Sequence, residues 1–169
     1  MKVSLVAVMS VNGLLARDDK VSTDWSSKED KAFFKEFTMK TGVVVMGRKT
    51  FETIGSTPLS GRLNVVMTRK PHIFQKHRHQ NLFFTNMEPK TLLKYLGDKG
   101  FNHVAVIGGP QIYSLFLEKG LITDLYLTIE PLFLSGRIGF KYLQRDYNLH
   151  LEEIIRLSHN TILLHYSLQ

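Results

Sequence analysis

Two rhythms of apolar residues alternate along the chain. Short β-branched runs bounded by turn residues, "KVSLVAVMS", "GVVVMG", "LNVVMTR", "NLFFTN", "HVAVIGG" and "DLYLTIEP", read as strands. Between them the apolar positions fall at helical spacing: from Lys28 to about Lys40, in "RKTFETIG", in "PKTLLKYLGDKG" and in "PQIYSLFLEKG". Pro89 and Pro110 suit first helical positions, while Gly97 or Gly100, and later Gly120, suit the ends. The unbroken apolar character of "GVVVMG" and "HVAVIGG" predicts central strands covered on both faces, as in a parallel sheet. Near the C-terminus the pattern opens. "LHLEEIIRLS" and "TILLHYSL" alternate around "SHNT", where Asn160 supports a turn, and predict an antiparallel hairpin at one side of the sheet. The expected fold is a three-layer α/β structure, one domain over residues 1–169, with a mixed, mainly parallel central sheet.

Composition narrows the class. A chain of 169 residues can bury about 70% of its unfolded surface, and 43% hydrophobic with 22% charged residues is ordinary for a globular protein. The absence of cysteine excludes a disulfide framework, a thiolate metal site and a cysteine nucleophile. The first apolar run is too short for a membrane span and lacks a small-residue cleavage site, so a cytoplasmic protein with no membrane partner is expected. The net charge of +7 suits an acidic partner, either nucleic acid or a phosphorylated cofactor, although a charge surplus also serves solubility.

Candidate chemistry begins with "DWSSKEDKAFFKEF". On a helix, Asp30 shares a face with Phe33, Phe34 and Phe37, an unusual place for a carboxylate. One reading is a capping box, Ser27 with Asp30 three residues later; the other is a buried catalytic acid. Two strand-to-helix junctions add a second signal. In "VVVMGRKTFETIG", Arg48, Lys49 and Thr50 open a helix after Gly47 and form a candidate phosphate site. In "VAVIGGPQIY", Gly108 and Gly109 let the backbone approach a ligand before another helix. Neither junction is the G-x-G-x-x-G fingerprint. In open α/β sheets, however, neighbouring junctions converge beyond the carboxyl ends of the strands, and a two-phosphate ligand would use both.

Other residues carry less. His77 and His79 could share a face, but "KHRHQN" is basic and repels a cation, so no metal site is expected. The same cluster raises nucleic-acid binding as a rival function of a different class. A binder would interleave exposed aromatics with its cations, whereas these phenylalanines sit at periodic, core-like positions. No serine lies in a nucleophile-elbow context.

The ordered motifs, Trp25 followed five residues later by Asp30, then "MGRKTFETIG", "PLSGRLNVVMTR", "VIGGPQIY" and "DLYLTIEP", resemble the dihydrofolate reductase superfamily over almost the whole chain. That resemblance implies an NADPH-dependent reductase acting on 7,8-dihydrofolate. It places Asp30 as the single ionisable group of the pterin pocket, with Trp25 beside it and Thr128 bonded to it. It assigns Arg48, Lys49, Thr50, Thr68, Arg69 and Lys70 to the cofactor phosphates, the cations favouring NADPH over NADH. Gly108 and Gly109 match the family's pair with a cis peptide bond, and Ile107, Tyr113 and Val8 would lie by the nicotinamide. Val6, Ala7, Phe34 and Ile54 would line the substrate, and Arg62 would grip the glutamate carboxylate. Three features depart from the folate enzymes. "SVNGLLA" and "LEKGLITDLYLTIEPLFLSG" resemble the riboflavin-pathway reductases, which leaves a ribosylaminopyrimidine reductase as the alternative, and Lys31 stands where folate enzymes usually have an apolar residue. Pro110 removes one N–H from the Gly-Gly turn. The riboflavin-type features and the apolar "EPLFLSG" also allow a homodimer.

Overall fold

The computed structural model describes residues 1–18, 23–74, 79–140 and 143–168. Eight strands form one sheet: β1 (Lys2–Ser10), β2 (Val43–Gly47), β3 (Leu63–Met67), β4 (Leu82–Thr85), β5 (His103–Gly108), β6 (Asp124–Glu130), β7 (Leu149–Arg156) and β8 (Ile162–Leu168). Four helices intervene: α1 (Lys28–Thr41), α2 (Arg48–Thr53), α3 (Pro89–Asp98) and α4 (Pro110–Glu118). The spatial order is β4-β3-β2-β5-β1-β6-β8-β7. The first six strands in that order pair in parallel, and β8 runs antiparallel to both β6 and β7. The mixed sheet and the C-terminal hairpin are those the alternation predicts.

The pleat explains the layers. Along β1, Val3, Leu5 and Ala7 point to one face, where they pack with Leu92 and Leu96 of α3 and Phe116 of α4. Val6 points to the other, joining Val44, Met46, Ala105 and Phe51 of α2, with Phe33, Phe34 and Phe37 of α1 packed against them. Val43 to Met46 are wholly buried on both sides, which is why β2 reads as an unbroken apolar run.

Local signals set the helix ends. Ser27 caps α1, its hydroxyl accepting from Asp30 N, and Gly42 closes it at φ 72° with its N–H on Met39 O. Pro89 and Pro110 take the first turns of α3 and α4, as their fixed φ favours. Two features escaped the pattern: a 3₁₀ turn at Pro71–Phe74 inside the basic cluster, and a register shift in β7 between Leu151 and Glu153. The "EPLFLSG" segment is divided, with Leu134 in the core and Phe133 83% exposed. No helix among the described residues is long and apolar enough to cross a membrane.

Candidate functional site

The first turn of α1 bears on the two readings of Asp30. In a capping box the third helical residue would reach back to the N–H of the cap. Here only half of the box forms. Ser27 Oγ accepts from Asp30 N at 3.1 Å, but Ser27 N donates to Glu130 Oε1 at 2.8 Å. Glu130, on β6, therefore does what the Asp30 carboxylate would otherwise do, and Asp30 is left for other work.

Asp30 is 7% exposed. Burial pushes its carboxyl above the ordinary carboxylate range; side-chain hydrogen bonding by Thr128 and Ser26 pulls it back, Glu130 pushes it up, and Lys31 pulls it down. The Ser26 hydroxyl is buried and makes no regular hydrogen bond among the described residues. Thr128 and Glu130, two apart on β6, share a strand face towards this helix end. Trp25 Nε1 is buried with no hydrogen-bond partner among the described residues, so an indole donor in this loop is available to a ligand or a water. Lys31 is exposed, and its ammonium turns back onto the carbonyls of Asp24 and Ser26, at 3.2 and 3.0 Å.

Part of the predicted lining collects on one face of the sheet, while Ala7 and Tyr113 belong to the core on the other. Val6, Phe34, Ile54 and Ile107 belong to a single apolar cluster. Val8 pairs with Thr128 across β1 and β6, and Ala7 is buried beside it. Tyr113 is buried and its hydroxyl donates to Val6 O at 2.8 Å. Burial and, less, the charge of Asp30 raise the Tyr113 phenol well above its ordinary value, so it serves here as a neutral donor.

The two glycine junctions do converge. The register sets Met46 of β2 opposite Gly108 of β5, and the Gly108–Gly109 peptide is cis. A Cβ on Gly109 would stand 3.2 Å from Thr50 Oγ1, and one on Gly108 3.3 Å from the Tyr113 hydroxyl. Gly108, at φ 125°, also has a backbone that side chains avoid. These positions keep backbone and the Thr50 hydroxyl together at the carboxyl ends of β2 and β5, a cradle that fits a phosphorylated dinucleotide. Next to it, Gly47 pairs with Met67, which brings the start of α2 beside Thr68, Arg69 and Lys70. Arg69 and Lys70 are exposed and make no ion pair among the described residues. Arg48 is held by Glu52 at 2.5 Å on the surface of α2, a pair exposed enough to be weak. Lys49 is exposed but not without a partner.

Arg62 is 7% exposed, and its Nε donates to Ser60 O at 3.0 Å. Its Nη1 donates to Lys35 O and to the Thr38 hydroxyl, tying the loop before β3 to α1. Burial lowers its guanidinium pKa, and no carboxylate among the described residues pairs with it. His79 is exposed, and His77 lies outside the described residues. Sequence reasoning missed Glu130 and Ser26. The available signal was Glu130's position two residues after Thr128, on the same strand face.

Comparisons with known proteins agree with this geometry. Residues 2–153 match the family model for dihydrofolate reductase. A dihydrofolate reductase from Buchnera aphidicola is 33% identical over 140 residues, 83% of this chain and 77% of its own. The type 3 dihydrofolate reductase of Salmonella typhimurium is 34% identical over 162 residues, 94% of this chain and 88% of its own. Among solved structures, dihydrofolate reductase from Enterococcus faecalis complexed with NADP(H) superposes with a TM-score of 0.75 at 20% identity, covering 99% of this chain and 96% of that one. A pyrimidine reductase-like protein from Corynebacterium diphtheriae gives 0.76 at 16% identity, over 99% and 92% of the two chains. The two structures share the fold with this chain, and the family match and sequence relatives decide between branches: the chain belongs to the dihydrofolate reductase family.

Proposed function

We propose that the protein reduces 7,8-dihydrofolate to tetrahydrofolate with NADPH, and that Asp30 is its proton-handling side chain. The observation that carries this reading is a buried carboxyl relieved of capping duty: Glu130 holds the Ser27 N–H, and Asp30 is free to meet the adjacent N–H donors of a pterin. The bound nicotinamide supplies the hydride. Asp30, raised by burial, keeps a proton to higher pH than an exposed aspartate and favours protonation of the substrate nitrogen beside it. Thr128 orients that carboxyl, Phe34 and Ile54 enclose the ring system, and Tyr113 fixes the β1 backbone through Val6 O.

Arg62 supports a folate over a ribosylaminopyrimidine. A buried guanidinium with no carboxylate partner among the described residues is matched by the α-carboxylate of a glutamate tail. Arg48, Arg69 and Lys70, gathered by the pairing of β2 with β3, favour a cofactor bearing a 2′-phosphate. NADPH should bind far more tightly than NADH in a fluorescence titration. Arg48→Ala should weaken NADPH by about 1.5–3 kcal/mol or less, since Glu52 competes for the same guanidinium, and leave NADH nearly untouched. Equal affinities for the two cofactors would exclude the assignment. The function itself is tested by following NADPH oxidation with dihydrofolate: turnover is expected in the wild type and its near loss in Asp30→Asn.

A further inference from the structure

Glu130 is a buried carboxylate that the proposed reaction does not use. It is 3% exposed, and its two oxygens accept from Ser27 N at 2.8 Å and Thr161 Oγ1 at 3.0 Å. Both donors are neutral. No Lys, Arg or His among the described residues pairs with it, so it sits in the interior without a counter-cation. Such a group is costly to bury and calls for a reason.

The reason lies one helical turn away. With Ser27 N taken by Glu130, the back-reaching arm of the capping box has no donor to find, and Asp30 cannot settle as a cap. We propose that Glu130 is a positioning residue for Asp30: it occupies the cap donor, Ser27 N, so that the Asp30 carboxyl is kept from turning back to the cap. The same side chain acts with burial to disfavour ionisation of Asp30. The inference rests on Asp30 being the proton-handling group and concerns what holds it in that role.

The other groups around Asp30 do not duplicate this effect. From β6, Thr128 offers a hydrogen bond that favours the ionised form. From α1 itself, Lys31 favours the ionised form too, though its ammonium is anchored on Asp24 O and Ser26 O. From α4, Tyr113 is a neutral phenol occupied with Val6 O, and from the loop before α1 Ser26 contributes a hydroxyl. Glu130 is the one charged side chain among them that acts with burial rather than against it.

The test is a carbon-13 NMR titration of the Asp30 side-chain carboxyl in the full chain, with Glu130→Gln beside the wild type. The amide keeps an acceptor for Ser27 N and loses the charge. Asp30 should therefore titrate at lower pH in E130Q, with an unchanged circular dichroism spectrum and unchanged NADPH affinity. The fall in kcat with rising pH should move to lower pH by the same shift. An Asp30 titration identical in the two proteins overturns the proposal. A second variant covers the case in which E130Q does not fold: Glu130→Met, uncharged and of similar length, should also move the Asp30 titration to lower pH, and an Asp30 titration identical to that of the wild type overturns the proposal equally. Because the titration needs no turnover, it separates this inference from the functional reading, which falls if Asp30→Asn keeps full activity.

Discussion

Because burial is the largest influence on Asp30 and raises its carboxyl, the folded protein keeps a proton there over a pH window in which the unfolded chain has lost it. The sign follows. Stability linked to Asp30 is fully present below the unfolded carboxylate range and is lost as pH rises through the raised folded value. Asp30→Asn cannot ionise, so its melting temperature should exceed that of the wild type at neutral pH, and the difference should shrink as pH falls. Its rate should drop by about 10²–10⁴-fold, the span of general acid–base help, while NADPH affinity holds. A variant both inactive and less stable at neutral pH would contradict the burial argument. Arg62 has two tasks in the structure, and its removal should show both. Arg62→Leu should raise KM for dihydrofolate and spare kcat with a pterin lacking the glutamate tail. It should also lower stability, because the Lys35 carbonyl and the buried Thr38 hydroxyl lose a charged donor. Urea denaturation reads that second loss, about 1.5–3 kcal/mol for charge-assisted bonds. Of these two residues, Asp30 stood out by its apolar neighbours, but those left capping and catalysis both open, and its proposed role, like that of Arg62, came from resemblance. The tie of Arg62 to α1 was not legible, since its partners Lys35 and Thr38 lie far back along the chain.

Among the elements, a single carboxylate ties the starts of β1 and β6 to the middle of β8. Asp124, opening β6, lies 3.0 Å from Lys2 Nζ of β1 and 2.8 Å from His165 Nε2 of β8, and accepts from the Thr123 hydroxyl at 2.7 Å. Burial opposes its ionisation, but the hydrogen bonds of His165, Thr123 and Lys2 outweigh that and hold its carboxyl below the ordinary range. Its stabilisation is therefore present above the unfolded carboxylate range and is lost as pH falls through the lowered folded value. Asp124→Asn should lower the melting temperature at neutral pH and flatten the acid side of the stability curve, with kinetic constants little changed. An acid side as steep as that of the wild type would contradict it. Nothing in the local pattern announced this clamp, whose members are 41 and more positions apart. The elements themselves were legible because their periods are local: β2 from its apolar run, the β7–β8 hairpin from alternation, and α3 and α4 from proline starts. The 3₁₀ turn at Pro71–Phe74 was not, since four residues carry no period.

For the whole molecule, the proposed function depends on regions brought together by the sheet order. The C-terminal ends of β2, β3 and β5 meet at the proposed cofactor cradle, while β6 carries Thr128 and Glu130 to the start of α1. Sequence spacing predicts the convergence of the two glycine junctions because parallel α/β sheets gather such loops at one end. It does not reveal that Glu130 would replace Asp30 as the cap partner, 103 residues distant from Ser27. That long-range contact turns an ordinary-looking capping box into an available acid. The measurement that tests the account most directly is NADPH oxidation followed with 7,8-dihydrofolate and, in parallel, with the ribosylaminopyrimidine phosphate of riboflavin synthesis, for the wild type and Asp30→Asn. Turnover of dihydrofolate alone is expected, lost by about 10²–10⁴-fold in the variant. Turnover of only the aminopyrimidine, or of dihydrofolate at an equal rate in both proteins, would contradict it.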